Sequence, residues 1–210
     1  MRNNEYSPVE IKLFNKLNSP SKVQDYLNSL KFNFEKQGET CYSPRLVIKN
    51  QTAHCMEGAM FAASVLEFHK NKAWLLDLRA TSGDFDHVVC VYKKFGFYGA
   101  VSKTNHAVLR FREPIYKTVR ELALSYFHEY FLSNGKKTLR EYSELFDLNL
   151  LKASDWKTSD KSLFEIPRAL DKVKHFKILN REQIKNLRRA DNIEIKVGEI
   201  TEFKRDKGHS

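Results

Sequence analysis

The feature that most constrains the fold is an almost uninterrupted apolar stretch between Ala53 and His69, AHCMEGAMFAASVLEFH. Its length and its many helix-forming residues predict an α-helix, with Thr52 as the N-cap. A helix with so few polar residues must be covered on most of its surface by the rest of the domain. Small residues between Gly58 and Ala63 allow a sheet or a second helix to pack closely against it. The chain is therefore expected to build its core around this helix.

After this helix the hydrophobic pattern changes from a helical period to alternation, which is typical of strands. Four short segments rich in valine, leucine and aromatic residues follow one another: AWLLDLRA from residue 73, HVVCVYKK from residue 87, FYGAVSK from residue 97 and AVLRFRE from residue 107. Their short connections predict hairpins and therefore an antiparallel sheet, which Pro114 is expected to end.

Helical patterns flank the predicted sheet. Residues 21–30 have the spacing of a short amphipathic helix, and a second apolar stripe begins at Thr118 and closes at Asn134-Gly135. The order of the elements predicts an α+β fold, with N-terminal helices packed on an antiparallel sheet. Residues 1–135 are expected to form this core.

The remaining residues, 136–210, are more polar and predict a charged, partly helical C-terminal extension that packs on the core or follows it. Within it, residues 181–191 have a helical pattern, and the alternating segment 193–203 predicts one or two short strands. The predicted domain boundary at residue 135 rests on this change in composition.

Composition restricts the functional classes. The 210 residues carry a formal net charge of +10, which favours an acidic partner, but no nucleic-acid-binding motif is visible and nucleic acid is the less favoured partner. No apolar run approaches the ~18 residues that cross a membrane, and the N-terminus lacks the apolar core of a secretion signal. Three cysteines without zinc-binding spacing favour a reduced, cytoplasmic protein, for which we predict no metal and no cofactor.

Cys55 lies in the first turn of the predicted helix, where a thiol meets unpaired N–H groups and the positive end of the helix dipole. Both favour the thiolate, which is the nucleophilic form. Cys90 is expected to pack in the core, and Cys41 is either a packing residue, which is favoured, or a reactive thiol. A nucleophile needs a base within hydrogen-bonding reach, and the candidates are His54 and His87. Because neighbouring residues on a helix point about 100° apart, His54 is expected to be poorly placed. His87, at the start of a predicted strand, is favoured.

A third polar residue is expected to orient His87. In the hairpin formed by the two middle strands, the residue opposite His87 is Ser102, Lys103 or Thr104, depending on the turn. The sequence leaves these three registers open. Asn105, just beyond them, is a further candidate because its amide could reach back to the imidazole.

The segments AHCMEGAMFAASVL and DFDHVVCVYKKFGFYGAVSKT together resemble the transglutaminase-like domain of the papain-like cysteine protease fold. Members of that family carry a cysteine at a helix N-terminus, a histidine at the start of a strand and an aspartate in the next strand. Cys55 and His87 match the first two positions, and the resemblance covers roughly residues 43–104. Ser102 stands at the position of the aspartate, which is a departure from the family pattern.

This departure separates two functional hypotheses. A serine hydroxyl accepts a hydrogen bond from histidine but does not stabilise an imidazolium as a carboxylate does. Either Asn105 or Asp86 therefore helps to support His87, or the site is weakened. The resemblance implies cysteine-dependent acyl transfer, or hydrolysis of an amide in a peptide or protein substrate, through a thioester and without a cofactor. The alternative is a catalytically weak or inactive module of the same fold that binds a peptide or an acidic partner.

Overall fold

The computed structural model describes residues 5–151 and 155–204 of the chain. It confirms the α+β class, with an antiparallel six-stranded sheet and helices on both of its faces. The helices are α1 (Pro8–Lys16), α2 (Pro20–Ser29), α3 (Pro44–Asn50), α4 (Cys55–Phe68), α5 (Val119–Leu124), α6 (Glu165–Leu170), α7 (Arg181–Lys185) and α8 (Asn192–Glu199). The strands are β1 (Lys31–Phe32), β2 (Thr52–Ala53), β3 (Ala73–Arg79), β4 (His87–Lys94), β5 (Phe97–Val101), β6 (Arg112–Tyr116), β7 (Glu141–Ser143) and β8 (His175–Lys177).

The six strands of the main sheet run in the order β6-β5-β4-β3-β7-β8, and all neighbouring pairs are antiparallel. Alternate side chains point to opposite faces of a sheet. On one face, Leu75 and Cys90 lie in a core shared with α4, and on the other face Leu76 and Val89 pack with residues of α5 such as Leu122. The segment that the sequence predicts as a C-terminal extension supplies β7 and β8, so it shares this sheet.

Helix α4 forms the centre of one core, as its composition predicts. All of its residues from Met56 to Leu66 are buried. A Cβ added to Gly58 would lie 2.5 Å from the Cβ of Lys103, so the glycine is what allows the chain after β5 to pack against this helix. The contact lies one turn from Cys55 and therefore brings the end of the sheet close to the start of the helix.

Two predicted boundaries are wrong. The helix predicted to run from Thr118 as far as Asn134 ends at Leu124, although Thr118 does cap it, and a separate 3-10 turn covers Phe127–Glu129. Pro114 does not end the strand region, because it lies inside β6. A proline is tolerated there because β6 is an edge strand and does not need every backbone N–H for pairing.

The alternating segment that begins at Ile193 is helix α8 and not the predicted strands. The carboxylate of Glu194 accepts a hydrogen bond from the N–H of the N-cap Asp191 at 2.6 Å, which is the reciprocal half of a capping box. Ile193 and Val197 are both exposed, so the alternation does not mark the buried face of a strand. Local capping determines this element, and the period of the apolar residues does not.

The hairpin between β4 and β5 adopts one of the three registers that the sequence leaves open. Lys94 pairs with Phe97, so Phe95 and Gly96 form a two-residue turn. Their φ angles are 54° and 86°, and positive values at both central positions define a type I′ turn. In this register the residue opposite the start of β4 would be Thr104, but regular pairing ends before it.

The turn residue Phe95 is strained, which allows a first prediction. Phe95 is 81% exposed and adopts a left-handed backbone conformation, which is unfavourable for an L-residue with a large side chain. Phe95→Asn is expected to stabilise the fold by about 0.5–1 kcal/mol, because asparagine tolerates this conformation. Phe95→Ala is the control, since it removes the ring and keeps the strain. Urea unfolding that gives both variants the same free energy of unfolding would contradict this account.

Candidate active site

The thiol of Cys55 lies at the N-terminal end of α4, on the first residue of the helix. The residue is partly exposed, so solvent reaches it. The preceding residue, His54, is the N-cap and has an extended backbone, with φ −97° and ψ −172°. The expectation that His54 points away from Cys55 assumes helical geometry for both residues. It is wrong because His54 lies outside the helix, and its imidazole interacts with the thiol.

The Nε2 atom of His54 is surrounded by oxygen atoms. It lies 3.2 Å from the carbonyl oxygen of Thr40, 3.4 Å from Oε1 of Glu57 and 3.8 Å from Oε1 of Glu35. A carbonyl oxygen only accepts hydrogen bonds, so we infer that Nε2 carries a hydrogen. The two nearby carboxylates favour the charged form of the ring.

These contacts change the ionisation of both side chains. Burial alone would lower the pKa of His54, but its hydrogen bond to Cys55 and the nearby negative charges raise it to about 9. Burial also opposes ionisation of Cys55, but the hydrogen bonds and charges of His54 and His87 outweigh it and hold the pKa of the thiol well below its ordinary value. Cys55 therefore ionises more readily than an ordinary thiol, and ionisation is the condition for a nucleophilic thiol.

His87 is the first residue of β4, as predicted, and Ser102 fixes its ring. The Nε2 atom of His87 lies 2.8 Å from Oγ of Ser102, and the Ser102 hydroxyl donates a 2.6 Å hydrogen bond to the carbonyl oxygen of Leu109. Because the hydroxyl hydrogen is used on Leu109, Oγ accepts from His87, and the ring hydrogen lies on Nε2. The other ring nitrogen, Nδ1, is then left for the contact with Cys55.

Ser102 reaches His87 by a diagonal contact and not from the directly opposite position. The last pair of the two strands is Cys90 with Val101, and alternation continued beyond it puts Ser102 on the same face of the sheet as His87. Ser102 is 1% exposed and His87 is 6% exposed, so water does not compete for their hydrogen bond. The sequence thus indicates the right residue, although it leaves the register open.

The backbone of Ser102 is fixed by Gln24, a residue that the sequence analysis does not identify. The side-chain amide of Gln24 accepts a hydrogen bond from the N–H of Ser102 at 2.9 Å and donates one to its carbonyl oxygen at 2.7 Å. Gln24 is buried on α2 between Val23 and Leu27. A polar residue on the apolar face of a predicted helix is the signal that could have indicated such a role.

Asn105 does not support His87. Its side-chain amide donates to the carbonyl oxygen of Phe203 and accepts from the N–H of Phe203, both at 2.9 Å. Asp86, which is exposed, accepts a hydrogen bond from the N–H of Ala80 at 2.7 Å. Within the described residues, the support of the imidazole is therefore a hydroxyl and not an amide or a carboxylate.

The other two cysteines are packing residues, which confirms the prediction for them. Cys41 is 1% exposed and Cys90 is fully buried. Burial raises the pKa of Cys41 to about 12 and raises the pKa of Cys90 far above its ordinary value. Among the three cysteines, Cys55 alone is partly exposed and has a lowered pKa.

Other features of the surface do not coincide with this site. Within residues 5–151 and 155–204, no group of three or more histidine, cysteine, aspartate or glutamate side chains could hold a metal ion. None of the helices in these ranges has the length and apolar character needed to cross a bilayer. A depression of about 320 Å³ is lined by residues near α5, β7 and β8, among them Val119, Tyr142 and Phe176, and does not include Cys55.

The candidate site is a continuous set of polar contacts: His54 and His87 both interact with Cys55, and Ser102 holds the far side of His87. No model of a known protein family matches the sequence, and no curated protein matches it either. The functional assignment therefore rests on the chemistry of these four side chains.

Proposed function

We propose that this chain is a cysteine-dependent enzyme of the transglutaminase-like kind, which transfers acyl groups or hydrolyses amides through a thioester. The observation that carries the proposal is the position of Cys55, a partly exposed residue at the start of α4 whose thiol interacts with two imidazoles that lower its pKa. A cysteine that only packs has a raised pKa, as Cys41 has. The succession of α4 and the antiparallel strands β3, β4 and β5, with His87 opening β4, supports a papain-like core.

The first half of the proposed reaction forms the thioester. The thiolate of Cys55 attacks the carbonyl carbon of an amide, and the electron pair of the C=O bond moves onto the oxygen. The N–H groups of the first turn of α4 have no intrahelical partners and stabilise this oxyanion. The oxyanion collapses, the C–N bond breaks, and the amine leaves with a proton from the imidazolium of His87.

The second half releases the acyl group. Neutral His87 takes a proton from water or from a primary amine as either attacks the thioester, and the C–S bond breaks to return Cys55 as a thiolate. Water gives a carboxylic acid, and an amine gives a new amide. A peptide or protein is the proposed acyl donor, and the net charge of +10 favours an acidic partner.

A second candidate is a weak or inactive module that binds a peptide without turning it over. The observation in its favour is Ser102, whose neutral hydroxyl gives His87 less support than a carboxylate would. Both candidates agree with a reducing, cytoplasmic location, which the three free cysteines support.

Alkylation separates these two candidates. At near-neutral pH, iodoacetamide is expected to label Cys55 about 100-fold or more faster than Cys41 and Cys90, because the thiolate is the reactive form. Peptide mass spectrometry of the folded protein at successive times measures the three rates. Cys55→Ala should remove the fast phase, and Cys90→Ala should leave it unchanged. Equally slow labelling of all three thiols would contradict the enzyme and favour the binding module.

A further inference from the structure

Two imidazoles interact with the sulfur of Cys55, and their surroundings differ. We propose that they have separate roles: His54 is a fixed cation that keeps the sulfur ionised, and His87 is the group that exchanges protons with the substrate. This inference rests on the cysteine chemistry proposed above and deepens it. It assigns a function to a histidine that the resemblance to the transglutaminase-like domain does not mark.

The surroundings of His54 prevent it from giving up its proton. Its Nε2 is surrounded by oxygen atoms: the carbonyl of Thr40 at 3.2 Å and the carboxylates of Glu57 at 3.4 Å and Glu35 at 3.8 Å. Glu57 is fully buried and is itself held in place, because it accepts a 2.9 Å hydrogen bond from the N–H of Tyr42. A ring between fixed negative charges and a thiolate stays protonated, so it is a poor proton donor.

Among the residues that the structure describes, His87, unlike His54, has no carboxylate as a partner of its ring. Its Nε2 faces the neutral hydroxyl of Ser102, and no carboxylate forms an ion pair with it in the described part of the chain. His87 therefore lacks the carboxylate neighbours that surround His54, and its Nδ1 faces the site of reaction. Cys41 and Tyr130 also interact electrostatically with Cys55, and burial keeps both of them neutral.

This division changes what happens to the sulfur during the reaction. In a site with one imidazole, the group that stabilises the thiolate is the same group that gives its proton to the leaving amine. Here His54 keeps its proton in every step, so Cys55 remains a good leaving group and a good nucleophile whether His87 is charged or neutral. The fixed cation also compensates for the neutral Ser102 behind His87.

The pH dependence of iodoacetamide labelling tests the proposal. His54→Gln replaces the cation by a neutral amide and is expected to raise the pH at which Cys55 labelling is half-maximal by about 1–3 units. His69→Gln is the matched control, because His69 lies at the other end of α4 and bonds the carbonyl oxygen of Phe14 at 2.8 Å. It should leave the profile unchanged. A His54→Gln profile that superimposes on that of the unmodified protein overturns the proposal.

A second measurement needs no variant and therefore does not depend on whether His54→Gln folds. In an NMR titration of the unmodified protein, the ring of His54 is expected to stay protonated through neutral pH, since its pKa is raised to about 9. Titration of His54 at the ordinary value for a histidine overturns the division of roles. If either test contradicts the role of His54 but Cys55 of the unmodified protein still labels faster than Cys41, the proposed function stands while this inference fails. If Cys55 does not label faster than Cys41, both fail.

Discussion

His87→Ala is expected to slow release of an acyl group from Cys55 by about 10²–10⁴-fold, the usual contribution of a general acid–base residue. The probe is p-nitrophenyl acetate, whose leaving group departs without a proton. The variant should therefore still show the rapid release of p-nitrophenolate that marks formation of the thioester. The slow phase that follows should almost disappear, because no other group in the site takes the proton from the attacking water.

Two comparisons make this result specific. His128→Ala removes an exposed imidazole whose Nδ1 contacts Lys137 and is expected to leave both phases unchanged. Cys55→Ala should remove the rapid phase and the slow phase together. Steady release by His87→Ala at the rate of the unmodified protein would show that His87 is not the proton-transfer residue, whatever the reactivity of the thiol.

Glu57→Ala is expected to have the largest effect on stability, a loss of about 3–5 kcal/mol in the free energy of unfolding. The carboxylate of Glu57 is fully buried on α4. It accepts hydrogen bonds from Thr40 Oγ1 at 2.7 Å, Tyr42 N at 2.9 Å, Asn33 Nδ2 at 3.0 Å and His54 N at 2.9 Å. Removing it leaves several partly buried donors without this partner, and a donor left unsatisfied in the interior costs about 1–3 kcal/mol.

Glu67→Ala is the matched control for this prediction, since Glu67 lies on the same helix. It pairs with Lys157 at 3.0 Å and accepts from Asn149 Nδ2 at 2.8 Å near the surface, so a loss of about 1 kcal/mol or less is expected. Urea denaturation followed by circular dichroism measures both variants. A Glu57→Ala protein as stable as Glu67→Ala would contradict the role of Glu57 as the anchor of residues 33–42.

Several elements follow from short-range signals in the sequence, including some that periodicity misses. Helices α1, α2 and α3 each begin with proline directly after a serine N-cap, Ser7, Ser19 and Ser43. Proline at this position is preorganised for a helix, and the serine hydroxyl accepts from a first-turn N–H. Apolar spacing predicts α2 but not α1 and α3, although the same Ser-Pro signal precedes all three helices.

The register of the central hairpin could not be predicted because its turn breaks a residue preference. A type I′ turn favours asparagine or glycine at both central positions, and here Phe95 occupies the first of them. Because the sequence has no strong turn signal, it does not determine which residue contacts the imidazole of His87. The geometry of the completed sheet, and not the local sequence, brings Ser102 to the imidazole and directs Asn105 to Phe203.

By itself the sequence determined a buried helix with a thiol at its first turn, an antiparallel sheet whose second strand opens with His87, and the fate of Cys90 as a core residue. These follow from local composition and alternation, which act over a few residues. Tertiary structure decided the pairing of His54 with Cys55 and the clamp of Gln24 on Ser102. The first contact depends on the extended backbone of His54 at the helix cap, and the second joins two segments that lie 78 residues apart. Neither can be predicted from a pattern of neighbouring residues.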